Sequence, residues 1–212
     1  MARPRILLAD DHTLVVDAFR TLLEAEFEVV GTAADGRSLL ALALQLKPDV
    51  VIVDLGLPLL NGFDAGRELK RLMPHTKLLV VTMNEDTTVA AEALRHWASG
   101  YLLKKSAGAE LILAVRELLR GKSYVTPSIA QRLVDEFIHE PEVHRRKTLS
   151  PRQREVLQLL AEGRTMREAA TILKLTSRTV AFHKYRIMRE FGLRSNSDLL
   201  KLAIREHLVP PA

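Results

Sequence analysis

The sequence contains no cysteine. This excludes disulfide bridges, thiolate metal sites and cysteine nucleophiles together. Aromatic residues make up 5% of the chain, with a single tryptophan. No uninterrupted apolar run approaches the about 20 residues that span a bilayer, and the N-terminus passes from Met1 into a strand-like pattern without the charged and apolar regions of a secretory signal. A cytoplasmic location without membrane insertion is the expectation. Apolar residues still supply 47% of the 212 positions, enough for one large or two small packed domains.

Charge is unevenly distributed. The net charge is +5. Residues 1–125 are close to neutral, residues 126–148 balance, and residues 149–212 carry 12 Lys and Arg against 6 Asp and Glu. A basic C-terminal segment behind a neutral N-terminal one points to a nucleic-acid-binding end and a separate regulatory or catalytic end.

The first 121 residues alternate two patterns. Short β-branched runs at Arg5–Ala9, Glu28–Ala33, Val50–Asp54, Lys77–Thr82 and Gly100–Leu103 suit strands buried on both faces. Amphipathic segments at Leu14–Glu24, Ser38–Leu46, Ala65–Leu72, Val89–Trp97 and Ala109–Arg120 lie between and after them. The alternation predicts an α/β domain built on a doubly wound (βα)5 parallel sheet with right-handed crossovers and flavodoxin-like strand order 2-1-3-4-5. Residues 122–148 read as a linker containing one short helix, Ile129–Ile138, followed by a polar stretch with charges of both signs.

Polar residues close the apolar runs. Asp10 and Asp11 follow the first, Asp54 ends the third, Thr82 the fourth, and Lys104 follows the fifth. In open parallel sheets ligands bind outside the carboxyl ends of the strands. Two carboxylates from different strands and a backbone carbonyl suit Mg2+, which takes oxygen ligands in near-octahedral geometry. A carboxylate at Asp54 can attack phosphorus to give an acyl phosphate, Lys104 and the cation neutralise the charge gathered there, and Thr82 can donate to a phosphoryl oxygen.

From Leu149 onward the pattern is helical. Ser150-Pro151-Arg152-Gln153 and Thr165-Met166-Arg167-Glu168 are capping boxes. Ser177 reads as the cap of a basic helix from Arg178 to Phe191 that Gly192 closes, and a last helix is expected over Asp198–Glu206. Two short helices joined by a tight turn, the second one basic, form a helix-turn-helix. Helical spacing turns Val180, Ile187, Met188 and Phe191 inward. It turns Arg178, Phe182, Tyr185 and Arg189 outward, with Ala181 at the margin, toward the base edges of a major groove. Ala181 or Phe182 is expected against thymine methyls, and Tyr185 against a phosphate or base edge. Lys184, Arg186 and Arg194 suit phosphate oxygens, and Thr179 with the helix starts at Ser177 and Thr165 adds phosphate contacts.

Residues 1–121 resemble the receiver domain of bacterial two-component response regulators, through Asp10-Asp11, Asp54-Leu55-Gly56-Leu57-Pro58, Asn61-Gly62, Thr82 and Gly100-Tyr101-Leu102-Leu103-Lys104. The resemblance implies that Asp54 is the phosphoacceptor. It implies that Asp11, Asp54 and the carbonyl of Gly56 ligate Mg2+, that Asp10 assists through water, that Thr82 and Lys104 bind the phosphoryl group, and that Tyr101 is an aromatic switch. Residues 149–212 resemble the LuxR-type helix-turn-helix of the NarL/FixJ class, through Leu149-Ser150-Pro151-Arg152, Glu155-Val156-Leu157, Leu160-Ala161-Glu162-Gly163, Glu168-Ala169-Ala170, Thr179-Val180, His183, Ile187-Met188 and Gly192-Leu193.

Together the two resemblances imply a transcription regulator that is phosphorylated by a sensor histidine kinase, binds double-stranded DNA, forms a homodimer when phosphorylated, and performs only self-directed phosphotransfer and dephosphorylation. The chain departs from the commonest receiver pattern at Met83, whose thioether is expected either to slow water attack on the phosphorylated aspartate or to fill a gap. Two other readings stand beside this one. A regulator with a vestigial receiver would not need the full set of Asp10, Asp11, Asp54, Thr82 and Lys104. A Mg2+-dependent aspartyl phosphohydrolase would place an acid two residues after its nucleophile, where this chain has Gly56.

Overall fold

A computed structural model describes residues 3–139 and 149–210. These fall into two compact units, one holding a parallel sheet and one all-helical. The polar stretch 140–148 read as linker lies outside the described residues. Among the described residues no helix is long and apolar enough to cross a membrane.

The sheet unit follows the expected alternation: β1 (Arg5–Ala9), α1 (Thr13–Leu23), β2 (Glu28–Ala33), α2 (Gly36–Leu46), β3 (Val50–Val53), α3 (Gly62–Leu72), β4 (Lys77–Thr82), α4 (Thr87–His96), β5 (Gly100–Leu103) and α5 (Ala107–Leu119). Every residue of β3 and β5 is buried, as runs covered on both faces require. Strand order is β2-β1-β3-β4-β5-β6. Order reverses between β1 and β3, the place where a doubly wound sheet opens its ligand crevice. The register there matters most. Ala9 pairs with Val53, Val53 with Val80, and Thr82 with Leu103, so the residues that follow emerge along one edge.

The sixth strand corrects the expectation of five. β6 (Tyr124–Val125) pairs parallel with Gly100 and Tyr101 of β5. Two residues are too few to show a period. What fixes them is side-chain and backbone bonding by Thr126, whose N–H donates to the Tyr101 carbonyl at 2.9 Å and whose hydroxyl accepts from the Leu103 N–H at 3.0 Å. The segment read as linker therefore opens as part of the sheet. Its helix, α6 (Pro127–His139), belongs to the same unit and buries Ile129 completely.

The helical unit contains α7 (Pro151–Ala161), α8 (Met166–Leu173), α9 (Ser177–Phe191) and α10 (Asn196–Arg205). Ser150 with Gln153 and Thr165 with Glu168 form the expected capping boxes. The cap of α9 is Thr176 rather than Ser177: the Thr176 hydroxyl accepts from the Thr179 N–H at 3.1 Å, and Ser177 is the first helical residue. Adjacent Thr and Ser are both good caps, and backbone conformation decides between them. α10 starts two residues before expectation, where Ser195 and Asp198 make a third capping box. α8 and α9 are joined by Lys174, left-handed at φ 55, Leu175 and Thr176. One apolar cluster gathers Leu157, Ile187, Leu199 and Leu202, and another gathers Val156, Ala170, Leu173 and Val180.

Two glycines test how tightly the sheet unit is built. A Cβ at Gly62 would lie 1.8 Å from the Asp54 carbonyl oxygen, whereas a Cβ at Gly108 meets nothing within 4 Å. Gly62→Ala is expected to lower unfolding stability by about 1–3 kcal/mol. Gly108→Ala is expected to leave it unchanged or raise it by up to about 1 kcal/mol, because alanine loses less backbone entropy in a helix. Urea unfolding of both variants checks the contrast, and a Gly62→Ala chain as stable as the parent contradicts it.

Candidate functional sites in the two units

Asp10 and Asp54 are both buried, at 6% and 7% exposure. A buried carboxylate needs a counter-charge or a proton. Lys104 supplies the counter-charge. Its ammonium lies 2.6 Å from Asp10 Oδ2 and 3.2 Å from Asp54 Oδ2. Burial pushes the Asp54 carboxyl above its ordinary range, Lys104 opposes this, and the Asp10 charge adds to it; the Lys104 and Thr82 side-chain hydrogen bonds pull it back down. Burial alone would lower Lys104, but Asp54 and Asp10 outweigh it and hold the ammonium charged.

The five polar residues at the strand ends are thus brought to one edge, with different roles in the geometry. Asp10 is the acid held closest to Lys104. Asp11 is more open, and its carboxylate faces the imidazole of His12 at 2.8 Å. Gly56 lies against the Asp54 carboxylate: a side chain there would come 3.2 Å from Asp54 Oδ2. Two carboxylates, Asp10 and Asp54, face one ammonium, and the Asp11 carboxylate follows Asp10 directly, so the strand edge carries more acids than lysine charge to balance them. That donor set fits a hard divalent cation, with Asp10, Asp11, Asp54 and the Gly56 carbonyl as the groups that would hold it.

Thr82 sits at the end of β4, 4% exposed, and its hydroxyl accepts from the Asn84 N–H at 3.2 Å. Tyr101 is fully buried, and its hydroxyl donates to the Asn84 carbonyl at 2.8 Å. Burial pushes the phenol far up, so Tyr101 acts as a neutral donor. Asn84 therefore joins Thr82 to Tyr101 through its two backbone groups. The next residue, Glu85, pairs with Lys105 at 2.5 Å and approaches Arg132 of α6 at 3.9 Å. Met83 is 68% exposed, which removes the gap-filling role. The sequence reading missed His12, Asn84 and Glu85. The signal for His12 was its position directly after the paired acids; the other two act through backbone position or a remote partner and leave no motif.

In the helical unit Arg178, Phe182, Tyr185 and Arg189 are exposed on one face of α9 while Val180 and Ile187 are fully buried. Phe182 and Tyr185 are 58% and 61% exposed. Phe182 therefore does not tuck against a neighbouring helix. Its ring stands edge-on to that of His183, with centroids 5.6 Å apart. Ala181 is half-buried at the margin, as its spacing predicts. Lys184 lies 5.8 Å from the centroid of the Tyr185 ring, and Arg186 pairs with Glu190 at 2.8 Å. Thr179 is engaged in the helix cap, its hydroxyl 2.8 Å from that of Thr176. Two large rings held in water on a basic helix cost hydrophobic free energy that a bound partner would recover.

Comparison with known proteins decides the family. A family model described as "Response regulator receiver domain" matches residues 6–116, and one described as "Bacterial regulatory proteins, luxR family" matches residues 147–203. The chain belongs to the two-component response regulators with a LuxR-type DNA-binding domain. It is a DNA-binding transcriptional regulator of the NarL/FixJ class. The regulator is similar to the oxygen regulatory protein NreC of Staphylococcus carnosus (strain TM300), at 36% identity over 97% of this chain and 99% of that protein. Among solved structures it resembles RcsB of Salmonella enterica serovar Typhimurium bound to a promoter in the presence of phosphomimetic BeF3-, at 29% identity, 94% and 97% coverage and a TM-score of 0.60. It also resembles a LuxR-family response regulator from Aurantimonas sp. SI85-9A1, at 34% identity and TM-score 0.62 over 65% of this chain and 99% of that one.

The regulator's recognition helix offers a direct electrostatic test. Burial lowers the His183 imidazole below its ordinary 6.5, and the charges of Arg152 and Arg186 lower it further. A depressed imidazole is neutral at pH 7 and takes its proton only below 6.5, so the helical unit loses stability as pH falls through that range and regains it above. An NMR titration of the His183 ring in the full chain is expected to give a midpoint below 6.5; a midpoint at or above it contradicts the burial argument.

Proposed function

We propose that Asp54 of this regulator accepts a phosphoryl group from the phosphohistidine of a partner sensor kinase, and that this modification controls DNA binding by α9. One observation carries the reading: at the carboxyl edge of the sheet, Lys104 is held between buried Asp10 and Asp54, with the Thr82 hydroxyl beside Asp54. A carboxylate oxygen of Asp54 attacks phosphorus while the bond to the kinase imidazole breaks. Lys104 offers its ammonium to the incoming phosphoryl oxygens, and the Thr82 hydroxyl donates to another. Asp10, Asp11, Asp54 and the Gly56 carbonyl would hold Mg2+, which would supply charge neutralisation for the transfer. Hydrolysis of the acyl phosphate returns the resting carboxylate, so the chain turns over only its own phosphate.

Movement of Thr82 toward the phosphoryl group pulls on Asn84, and through the Asn84 carbonyl on Tyr101. That route gives Tyr101 its role as the switch residue. The phosphorylated chain forms a homodimer on paired DNA half-sites in the cytoplasm. Domain limits of 1–121 for the receiver, 122–148 for the connection and 149–212 for the DNA-binding part describe this division of labour. Arg178, Ala181, Phe182, Tyr185 and Arg189 face the groove, while Thr179, Lys184, Arg186 and Arg194 face the phosphate backbone. Met83, exposed beside Thr82, is placed to slow water attack on the acyl phosphate.

Incubation of the full chain with acetyl phosphate and Mg2+ is expected to add one acid-stable, base-labile phosphoryl group, detected by intact mass. Asp54→Asn abolishes it, and retention of the label in Asp54→Asn would overturn the assignment. Phosphorylated chain is expected to bind DNA more tightly than unphosphorylated chain in the same salt. On the DNA side, Phe182→Ser is expected to change the sequence selected from a random pool, because each lost base contact removes about 1–3 kcal/mol of discrimination. Lys184→Ala is expected to weaken binding to all sequences and to flatten the salt dependence by about one unit of slope. An unchanged selected sequence for Phe182→Ser speaks against base contact.

A further inference from the structure

His12 occupies the first position after the paired acids and is the N-cap residue of α1, its carbonyl accepting from the Val15 and Val16 N–H groups. Its backbone is extended (φ −91, ψ 103), and its side chain makes no capping hydrogen bond to α1. The imidazole instead turns to the carboxylates, placing Nδ1 2.8 Å from Asp11 Oδ1 and 3.2 Å from Asp10 Oδ1. The His12 N–H donates to the same Asp10 Oδ1 at 3.0 Å, which fixes that oxygen. Lys104 takes the other oxygen of Asp10, so the ammonium and the imidazole address opposite sides of one carboxylate.

One ligand atom each from Asp10, Asp11 and His12 lie within 4.8 Å of one another. Ligands bound at about 2.0–2.2 Å to one octahedral ion stand about 3 Å apart when adjacent and about 4.3 Å apart when opposite. The observed 2.8 and 3.2 Å separations match adjacent positions. Imidazole nitrogen changes what such a site prefers. Mg2+ takes oxygen and dehydrates reluctantly, whereas imidazole suits first-row transition ions.

We propose that His12 Nδ1 is a ligand in the receiver's cation site, which therefore binds a first-row transition ion such as Co2+ through nitrogen as well as oxygen. The inference rests on the reading of Asp10, Asp11 and Asp54 as a cation site and adds a residue and an ion class to it. Asp11 and His12 supply one oxygen and one nitrogen from consecutive residues, and Asp10 Oδ1 is a third donor within reach. His12 is 67% exposed, so an ion can reach Nδ1 without rearrangement of the core.

The experiment titrates the full-length, unphosphorylated chain with Co2+ and, separately, with Mg2+ by calorimetry. It compares the parent with His12→Gln and Asp11→Asn, each checked for unchanged circular dichroism. The proposal expects His12→Gln to weaken Co2+ about tenfold or more, within the range that loss of support around a metal produces, while changing Mg2+ binding less than twofold. It also expects Co2+ to shift the His12 ring protons in the NMR spectrum. Equal Co2+ affinity in His12→Gln and parent, or equal losses for the two ions, overturns the role of His12 and leaves the Mg2+ site standing. Failure of both ions to bind the parent, or Mg2+ binding that Asp11→Asn does not weaken, overturns the cation site and the proposal with it.

Discussion

Parallel strand register is the constraint on which the receiver depends. Backbone hydrogen bonds pair Ala9 with Val53 and Val53 with Val80, and Thr82 pairs with Leu103. Each of these strands ends at the same edge, where Asp10, Asp54 and Lys104 follow β1, β3 and β5 and Thr82 is the last residue of β4. A slip by one residue would turn every side chain to the opposite face and would bury Asp54 among the leucines and valines of the core. The apolar runs prevent that slip because they are buried on both faces and tolerate no charge along their length.

Register delivers the groups, and electrostatics sets their state. Asp10 and Asp54 are too deeply buried to stand as unpaired charges, and the structure places Lys104 between them. Removing one member of a buried pair commonly costs about 3–5 kcal/mol, because the remaining charge is left without a partner. The same arrangement is poised for chemistry. Two acids on one ammonium, with Asp11 adjacent in the chain, attract further positive charge, and under the proposed function a phosphoryl group at Asp54 would give Lys104 and Thr82 new acceptors. Gly62 matters here for space: its N–H donates to the Leu55 carbonyl at 3.0 Å, and no side chain fits beside the Asp54 carbonyl. The loop after β3 is therefore shaped by what it must not carry.

The helical unit solves a different problem. Its recognition helix must be rigid and also present an outer face without structural duties. Val180 and Ile187 anchor one side in two apolar clusters, and Thr176 and Gly192 close the two ends. The opposite side is then left to Arg178, Phe182, Tyr185 and Arg189, none of which the fold requires. Exposed rings on such a face are consistent with a surface adapted to apolar groups in a groove rather than to phosphate alone. Lys184 and Arg186 already have partners, in the Tyr185 ring and Glu190, so binding phosphate requires them to exchange one contact for another.

Sequence alone determined the alternation of strand and helix, the positions of Asp10, Asp11, Asp54, Thr82 and Lys104 at strand ends, two of the capping boxes and the inner and outer faces of α9. Each of these follows from a period or a short-range spacing that local residue types impose. Tertiary structure decided the rest. β6 exists because Thr126 reaches Tyr101 and Leu103 across the sheet, a contact that two residues of strand cannot announce. Thr176 rather than Ser177 caps α9 because the path from Lys174 sets the backbone. Phe182 faces water because no neighbouring helix covers it, which spacing could not settle. The pairing of Lys104 with two acids was equally beyond sequence, because Lys104 meets Asp10 and Asp54 only after β1, β3 and β5 have come to one edge. His12 meets Asp10 and Asp11 as chain neighbours, and only the direction of its ring was left to the structure.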